Sequence, residues 1–416
     1  MRPNPTRPGR GGRRGAALIY ATVVSVAIAG MCVALLTVNL PTSKARAQSQ
    51  NDQRSFYAAE AGLSDAYMRL TEGVVAWPDD EPLLLGSAEA PIAFGTTAYW
   101  VEVNHLDDHT YSLTSTGIDG AARERLELVL SEEPTGFFQY AAFGDSGVVV
   151  DSNSFVDSFD SSLGPYDSQV KGGHDYAKEN GHVGSNGDIL LKANTKIHGD
   201  AHPGLGHVVD DSKPGVLVTG STDPADAKME LAAIDVPALA SAGTYAGSSS
   251  LVLGPGNVHY SSITMKGHTK LTLVGPATVV VDKFLLKTNA ELNFDTTGGP
   301  VDLYATGDFV LQSNSSVTTP TDSALDVTLY LSGNNMTKTP ATQVQLASNA
   351  QFVGAIYAPE VKVSLSSNFD IYGSLMCGFV DLSSNTGIHF DEALRYGGGG
   401  AAGEFKAQLW RKLPPE

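Results

Sequence analysis

A nine-residue unit, apolar-x-apolar-x-x-Asn-x-x-apolar, recurs eight times in this 416-residue chain and constrains its fold more than any other feature. The copies centre on Asn153, Asn194, Asn289, Asn314, Asn349, Asn368 and Asn385, with His268 standing in the Asn place of the eighth. In the first copy the apolar positions are Val148, Val150 and Val156; in the last they are Val380, Leu382 and Ile388. Apolar residues two apart point to one side of a strand. Asn tolerates a left-handed backbone and hydrogen-bonds nearby main chain, which suits it to a corner between strands. Successive centres lie 41, 74, 21, 25, 35, 19 and 17 residues apart, settling toward the C-terminus near one coil of a parallel β-helix. Self-similarity of this kind is the mark of a solenoid. Stacked coils would line the Asn residues into a ladder and bury each other's apolar edges. Gly199, Gly354 and Gly373, each five residues past its Asn, mark a second corner. The longer spacings imply a coil without the motif, or an excursion such as 202–237. The chain therefore reads as mainly β, a parallel β-helix over 136–396 with right-handed coils expected. A jelly roll or other antiparallel sandwich is the competing architecture.

The other end of the chain follows different rules. Residues 16–40 hold no charged side chain and follow a basic leader with Arg2, Arg7, Arg10, Arg13 and Arg14. As a helix they would reach ~37 Å, against a bilayer core of ~30 Å. The basic flank would stay in the cytoplasm, which places the rest outside as a single-span protein of the inner (cytoplasmic) membrane. Four readings compete: an uncleaved anchor, a secretory signal cut near Ser43 to Ala47, a lipoprotein signal at Cys32, and cleavage between Gly15 and Ala16. Apolar positions 56, 59, 63, 66, 67 and 70 recur at helical spacing, so the helix continues to about residue 71, with a bend expected at Pro41. A connector with Pro and acids runs over 72–91. Strands are expected at 97–103, 110–117 and 123–130, separated by Asp107-Asp108 and Asp119-Gly120. They form a small antiparallel meander that can cover the long helix.

The basic residue and Gly15 before Ala16-Ala17-Leu18-Ile19, with the run Ala58-Ala59-Glu60-Ala61-Gly62-Leu63, resemble the N-terminal segment of PilX-type type IV pilus assembly proteins. The resemblance implies cleavage after Gly15, methylation of the new terminus, and extraction of the helix into a pilus-like extracellular filament. It also implies other pilin-like subunits, the pilus assembly machinery and the membrane as partners. Major pilins carry Glu at the fifth position of the processed chain; here that position is Tyr20. A buried charge is tolerable only when paired. K-type minor pseudopilins share the absence, so a minor, initiating or tip subunit is implied. The second half resembles a β-helical domain joined to PilX-type N-termini in bacterial surface proteins. The residues that carry this are Asp157-Ser158-Phe159-Asp160-Ser161 with Gly164-Pro165-Tyr166, Gly354-Ala355-Ile356-Tyr357-Ala358-Pro359, and Phe390-Asp391-Glu392-Ala393-Leu394. The expected divisions are a leader (1–15), a long pilin-like helix (16–71), connector plus meander (72–135), the solenoid (136–396), and a Gly-rich linker with a C-terminal strand (397–416).

The formal charge is −18, and loss of the five leader arginines lowers it to −23. Such a surface repels phosphates, which excludes nucleic acid as a partner. It admits calcium, a basic protein or a surface polysaccharide. Cys32 and Cys377 form no disulfide framework, and Cys377 sits in an apolar strand where a thiol is inert. β-Helical polysaccharide lyases and hydrolases use carboxylates projecting from consecutive coils. The candidates here, Asp151, Asp157, Asp160, Asp167 and Asp175 near Lys171, lie in polar turns where Asp caps backbone, so no catalytic set is assigned. His198, Asp200 and His202, with His207 nearby, have the spacing of zinc ligands on one strand face. No cofactor is expected. The function these features imply is a non-enzymatic minor pilin-like subunit, displaying a β-helix on an envelope filament for assembly, adhesion or surface contact. The alternatives are a membrane-tethered carbohydrate-active enzyme and an unprocessed structural envelope protein.

Overall fold

The computed structural model describes residues 14–71, 83–107, 109–133, 136–312, 314–337, 343–346, 350–397 and 404–414. Side chains at 14–18, 36 and 38–42 lie outside that description, as does Asn349. Two compact units result, one of residues 1–133 with 404–416 and one of residues 134–403.

In the first unit a single helix spans Arg14–Thr71 and is unbroken at position 41, where the sequence predicts a bend. Among the described residues no helix is long and apolar enough to cross a membrane; the side chains at both ends of the expected span, 16–18 and 38–40, lie outside the described ones. Ala59, Leu63, Ala66 and Leu70 recur at i, i+4, i+3 and i+4, which places them on one face. They pack against Tyr99, Val101, Val103, Leu113, Leu126 and Leu130. The expected meander extends over Thr97–Asp107, Thr110–Asp119 and Ala122–Glu133. Two additions enlarge it. Leu83–Leu85, within the expected connector, and Ile92–Phe94, just after it, pair with Thr97–Asp107. The C-terminal strand Glu404–Leu413 pairs antiparallel with Ala122–Glu133, so it completes this sheet. Gly117 makes the close approach possible: a Cβ there would lie 2.0 Å from the Ser55 carbonyl oxygen.

The second unit is a parallel β-helix with three strands to a coil, and the parallel pairing rules out the antiparallel sandwich. Ser262–Met265, Lys270–Val274 and Ala277–Val281 make one coil, and Phe284–Leu286, Glu291–Asp295 and Val301–Ala305 the next. Each strand pairs in parallel with its counterpart. The motif's apolar residues, among them Val148, Val150, Leu191, Ile263, Phe284, Val363 and Ile388, are buried in one continuous core. Asn153, Asn194, His268, Asn289, Asn314, Asn368 and Asn385 have φ from 57° to 62°. Asn194 Nδ2 donates to Asn153 Oδ1 at 3.1 Å, and the amide of His268 donates to the Asn289 carbonyl at 2.9 Å. Gly199, Gly354 and Gly373 form the second bend with φ of 146–152°. A Cβ on Gly373 would lie 2.0 Å from the Gly354 carbonyl oxygen, so stacked bends need glycine.

The coils do not stack in chain order. The strands of the first coil, Ala142–Gly144, Val148–Val150 and Phe155–Phe159, lie between coils from opposite ends of the sequence. On one side they pair with Val183–Ser185, Ile189–Leu191 and Lys196–Ile197. On the other they pair with Phe369–Leu382 and Gly387–Asp391. After Leu217–Val218 the chain must therefore travel to the far end of the solenoid before the next coil begins at Thr244–Gly247. Residues 219–243 make this journey, so the expected excursion 202–237 is corrected: its first half forms the coil strands Val209–Asp210 and Leu217–Val218, and only its second half is excursion. They are held in turn by Asn186, whose Oδ1 accepts from Met229 N at 2.9 Å, by Tyr357, whose hydroxyl donates to the Ala232 carbonyl, and by His259 Nδ1, 3.0 Å from the Leu239 carbonyl. Those anchors stand progressively further along the stack of coils, so the segment is a strap across one face.

Candidate functional site: an acidic tyrosine cleft

Two polar assemblies interrupt the apolar solenoid. The first is the seam where the first coil meets the last. Phe155–Phe159 and Gly387–Asp391 are neighbours here, with Asp157 in register with His389 and Phe159 with Asp391. Asp157 is fully buried: Oδ1 sits 2.7 Å from His389 Nδ1, and Oδ2 accepts from the Tyr166 hydroxyl at 2.8 Å and the Ala177 amide at 3.0 Å. Burial and that carboxylate push the Tyr166 hydroxyl well above its ordinary pKa. Asp160 caps a short helical turn, accepting from Ser162 N at 2.9 Å. Asp391 accepts from the amides of Ser161, Ala324 and Ala393 at 3.0–3.2 Å, while burial raises its pKa. Glu392 accepts from Ser158 Oγ and Asn180 Nδ2. These acids are committed to closing the solenoid.

Of the remaining candidate acids, Asp167 lies in the short helix Tyr166–Gln169 beside the seam, and the others form surface ion pairs. Asp175 pairs with Lys196 and Asp151 with Lys192. The candidate metal ligands His198, Asp200 and His202 do not assemble. Among the described residues no group of three or more His, Cys, Asp or Glu side chains could hold a metal ion. Asp200 lies 3.1 Å from His182 and 3.5 Å from His202, and His207 faces Asp188 instead. His198 stacks on Tyr176 at 3.9 Å, buried, with neither ring nitrogen hydrogen-bonded. The corner at Gly199, between His198 and Asp200, turns the chain and breaks the strand periodicity that the His-x-Asp-x-His spacing assumes. Burial raises the Cys377 thiol to about 12, in keeping with an inert cysteine.

The second assembly lies under the strap. In the strands Val301–Ala305 and Val327–Leu331 alternate residues face outward, and the parallel register puts them into columns. One column reads His259, Val280, Tyr304, Tyr330 and Tyr357; its neighbour reads Asn257, Thr278, Asp302 and Thr328. Tyr304 and Tyr330 stack at 4.4 Å and 11°, and Tyr330 meets Tyr357 edge-on at 6.4 Å. Phe137 meets the other side of Tyr357 at 4.6 Å, again edge to face. With Ala233, Ile234 and Asp235 of the strap these residues enclose a cleft of about 530 Å³. Asp302 sits in its wall, and burial raises its carboxyl above the usual range. Burial, with the neighbouring Tyr330 and Asp302, raises Tyr304 to about 12. No lysine, arginine or histidine lines the cleft among the described residues. The sequence carried one signal of this site, a tyrosine at an outward position in three strands bracketed by apolar residues, at 304, 330 and 357. Tyr357 belongs to the Gly354–Pro359 run that carries the family resemblance, whereas Tyr304 and Tyr330 belong to no motif.

A family model described as a domain of unknown function, DUF7305, matches residues 193–396. No curated protein matches the chain. Among solved structures, the competence-associated pilin ComZ from Thermus thermophilus is similar at 12% identity, with 87% of this chain and 98% of that one covered and a TM-score of 0.29. An ice-binding protein from the Antarctic ascomycete Antarctomyces psychrotrophicus is similar at 13% identity, with 62% and 97% covered and a TM-score of 0.28.

Proposed function

We propose that the chain is a non-enzymatic, pilin-like minor subunit that is anchored by its N-terminal helix and displays the β-helix outside the cytoplasm. The observation that carries this reading is the apolar, unpaired half of the long helix. Ile19, Val26, Met31 and Leu35 are 65%, 71%, 70% and 61% exposed, in a stretch without charge. A continuous apolar surface of that kind is stable only when lipid or neighbouring helices cover it. Tyr20 in place of a carboxylate removes the charge that would need a partner in such surroundings. Tip or initiating placement follows from the same residue. The seam carboxylates support a non-enzymatic reading because their oxygens accept structural hydrogen bonds.

Mass spectrometry of protein purified from the native envelope tests the processing step. A mature terminus at methylated Ala16 is expected; an intact Met1, or a start near Ala45, refutes it. A polysaccharide-depolymerisation assay with Asp157→Asn and Asp160→Asn tests the rest. Activity present in the wild type and lost in those variants would turn the reading to a carbohydrate-active enzyme.

A further inference from the structure

The tyrosine cleft holds a carboxylate for which the fold supplies no partner. Asp302 makes no hydrogen bond or ion pair with any described residue, although it is half-buried beside Tyr304 and Tyr330. Elsewhere in the solenoid the buried acids are satisfied: Asp157, Asp391 and Glu392 each accept two or more hydrogen bonds. Asp302, half-buried, has no such partner among the described residues, and it stands in a cleft with a second acid, Asp235, and no cation. A carboxylate that the fold leaves without a partner has its oxygens open to a ligand that supplies positive charge.

We propose that this cleft binds a lysine or arginine side chain presented by a partner protein. An anionic ligand is excluded by the two carboxylates. A metal ion would find only those two acidic ligands, fewer than a divalent site needs. An ammonium or guanidinium group pairs with Asp302 and lies against tyrosine rings, whose electron-rich faces attract cations. The volume of about 530 Å³ takes the side chain together with flanking main chain under the strap. The inference concerns the solenoid alone and holds whether or not the chain enters a filament.

The test uses the full chain in detergent micelles and three probes: a Gly-Ser-Arg-Ser-Gly peptide, its citrulline counterpart and maltohexaose. Citrulline keeps the shape of arginine and removes its charge. Calorimetric titration should show binding of the arginine peptide, about tenfold weaker binding of the citrulline peptide, and steady weakening with added salt. Asp302→Asn should weaken the arginine peptide by about tenfold and leave the citrulline peptide unchanged. Asp302 faces outward without a partner, so this variant keeps the fold, which circular dichroism verifies. Tyr330→Leu should weaken arginine binding while Asp302 remains in place. Equal affinity for both peptides overturns the proposal, as does indifference to Asp302→Asn or absence of binding at millimolar peptide. Maltohexaose that binds wild type and Asp302→Asn alike, and displaces the peptide, overturns it in favour of a glycan cleft.

Discussion

At φ near +60° a side chain with a Cβ meets its own carbonyl, at a cost of about 1–2 kcal/mol that Asn reduces by bonding local main chain. The seven described corner residues all take this conformation, His268 among them. Asn289→Val should therefore lower stability by about 1–2 kcal/mol. Asn289→Gly should stay within a few tenths of the wild type, since glycine enters the region freely. Calorimetry of the solenoid transition distinguishes them, and equal losses in both would show that the Asn side chain, not the backbone, sets the cost. His198 and His182 supply a second residue-scale prediction. Burial holds both below the ordinary histidine value, and His182 Nδ1 accepts the Asp200 amide at 3.0 Å, a bond that only the unprotonated nitrogen makes. A depressed folded pKa means the unfolded chain takes up protons first. The contribution to stability is thus complete above about pH 6.5 and is lost as pH falls through the folded values. The melting temperature should decline from pH 7 to pH 5. His198→Phe, which keeps the stack on Tyr176 and removes two unsatisfied nitrogens, should flatten the decline without destabilising the protein at pH 7.

At the scale of elements, legibility in the sequence followed locality. A corner is written within nine residues, so Asn153 and Asn385 announce themselves, and so does the helix face built from Ala59, Leu63, Ala66 and Leu70. The C-terminal strand's partner is more than 270 residues away, and nothing near Phe405 names Glu132. Asp157 and Asp391, quoted as motifs for their resemblance, gain meaning only once the seam brings Phe159 and Asp391 into register. The cleft is harder still to read, because a column of tyrosines depends on three coils keeping one register. The packing of helix on sheet yields its own test. A Cβ on Gly117 would meet two main-chain atoms of the helix, Ser55 O at 2.0 Å and Ala59 N at 2.3 Å, and neither can rotate away. Gly117→Ala should cost about 1–3 kcal/mol of overpacking strain in the first unit and loosen the helix from its sheet. Faster proteolysis within 43–71, with an unchanged solenoid transition, is the expected signature; an unaltered cleavage rate would mean that the sheet yields instead.

For the whole molecule, the discontinuous order of coils makes stability depend on residues made last. Coils in a solenoid exchange contact only with neighbours, so a coil missing one neighbour exposes a full apolar edge. Ala142 pairs with Leu375 and Val148 with Val380, so the first coil is synthesised long before the coil that covers it. The coils from Ser262 to Leu331 stack in sequence and need no such delay. Pairing across so long a loop is slow to form, because its closure entropy precedes any gain in contact. Two truncations separate these regions by hydrogen exchange. Removing 404–416 takes a strand from the first unit and should leave amides at 148–159 protected. Removing 369–416 strips the covering coil as well, and the same amides should then exchange freely while those at 277–305 remain protected. If 148–159 stayed protected in the longer deletion, the first three coils would be a self-sufficient unit, and the seam of Asp157, His389 and Asp391 would be a docking contact between two solenoids instead of the closure of one.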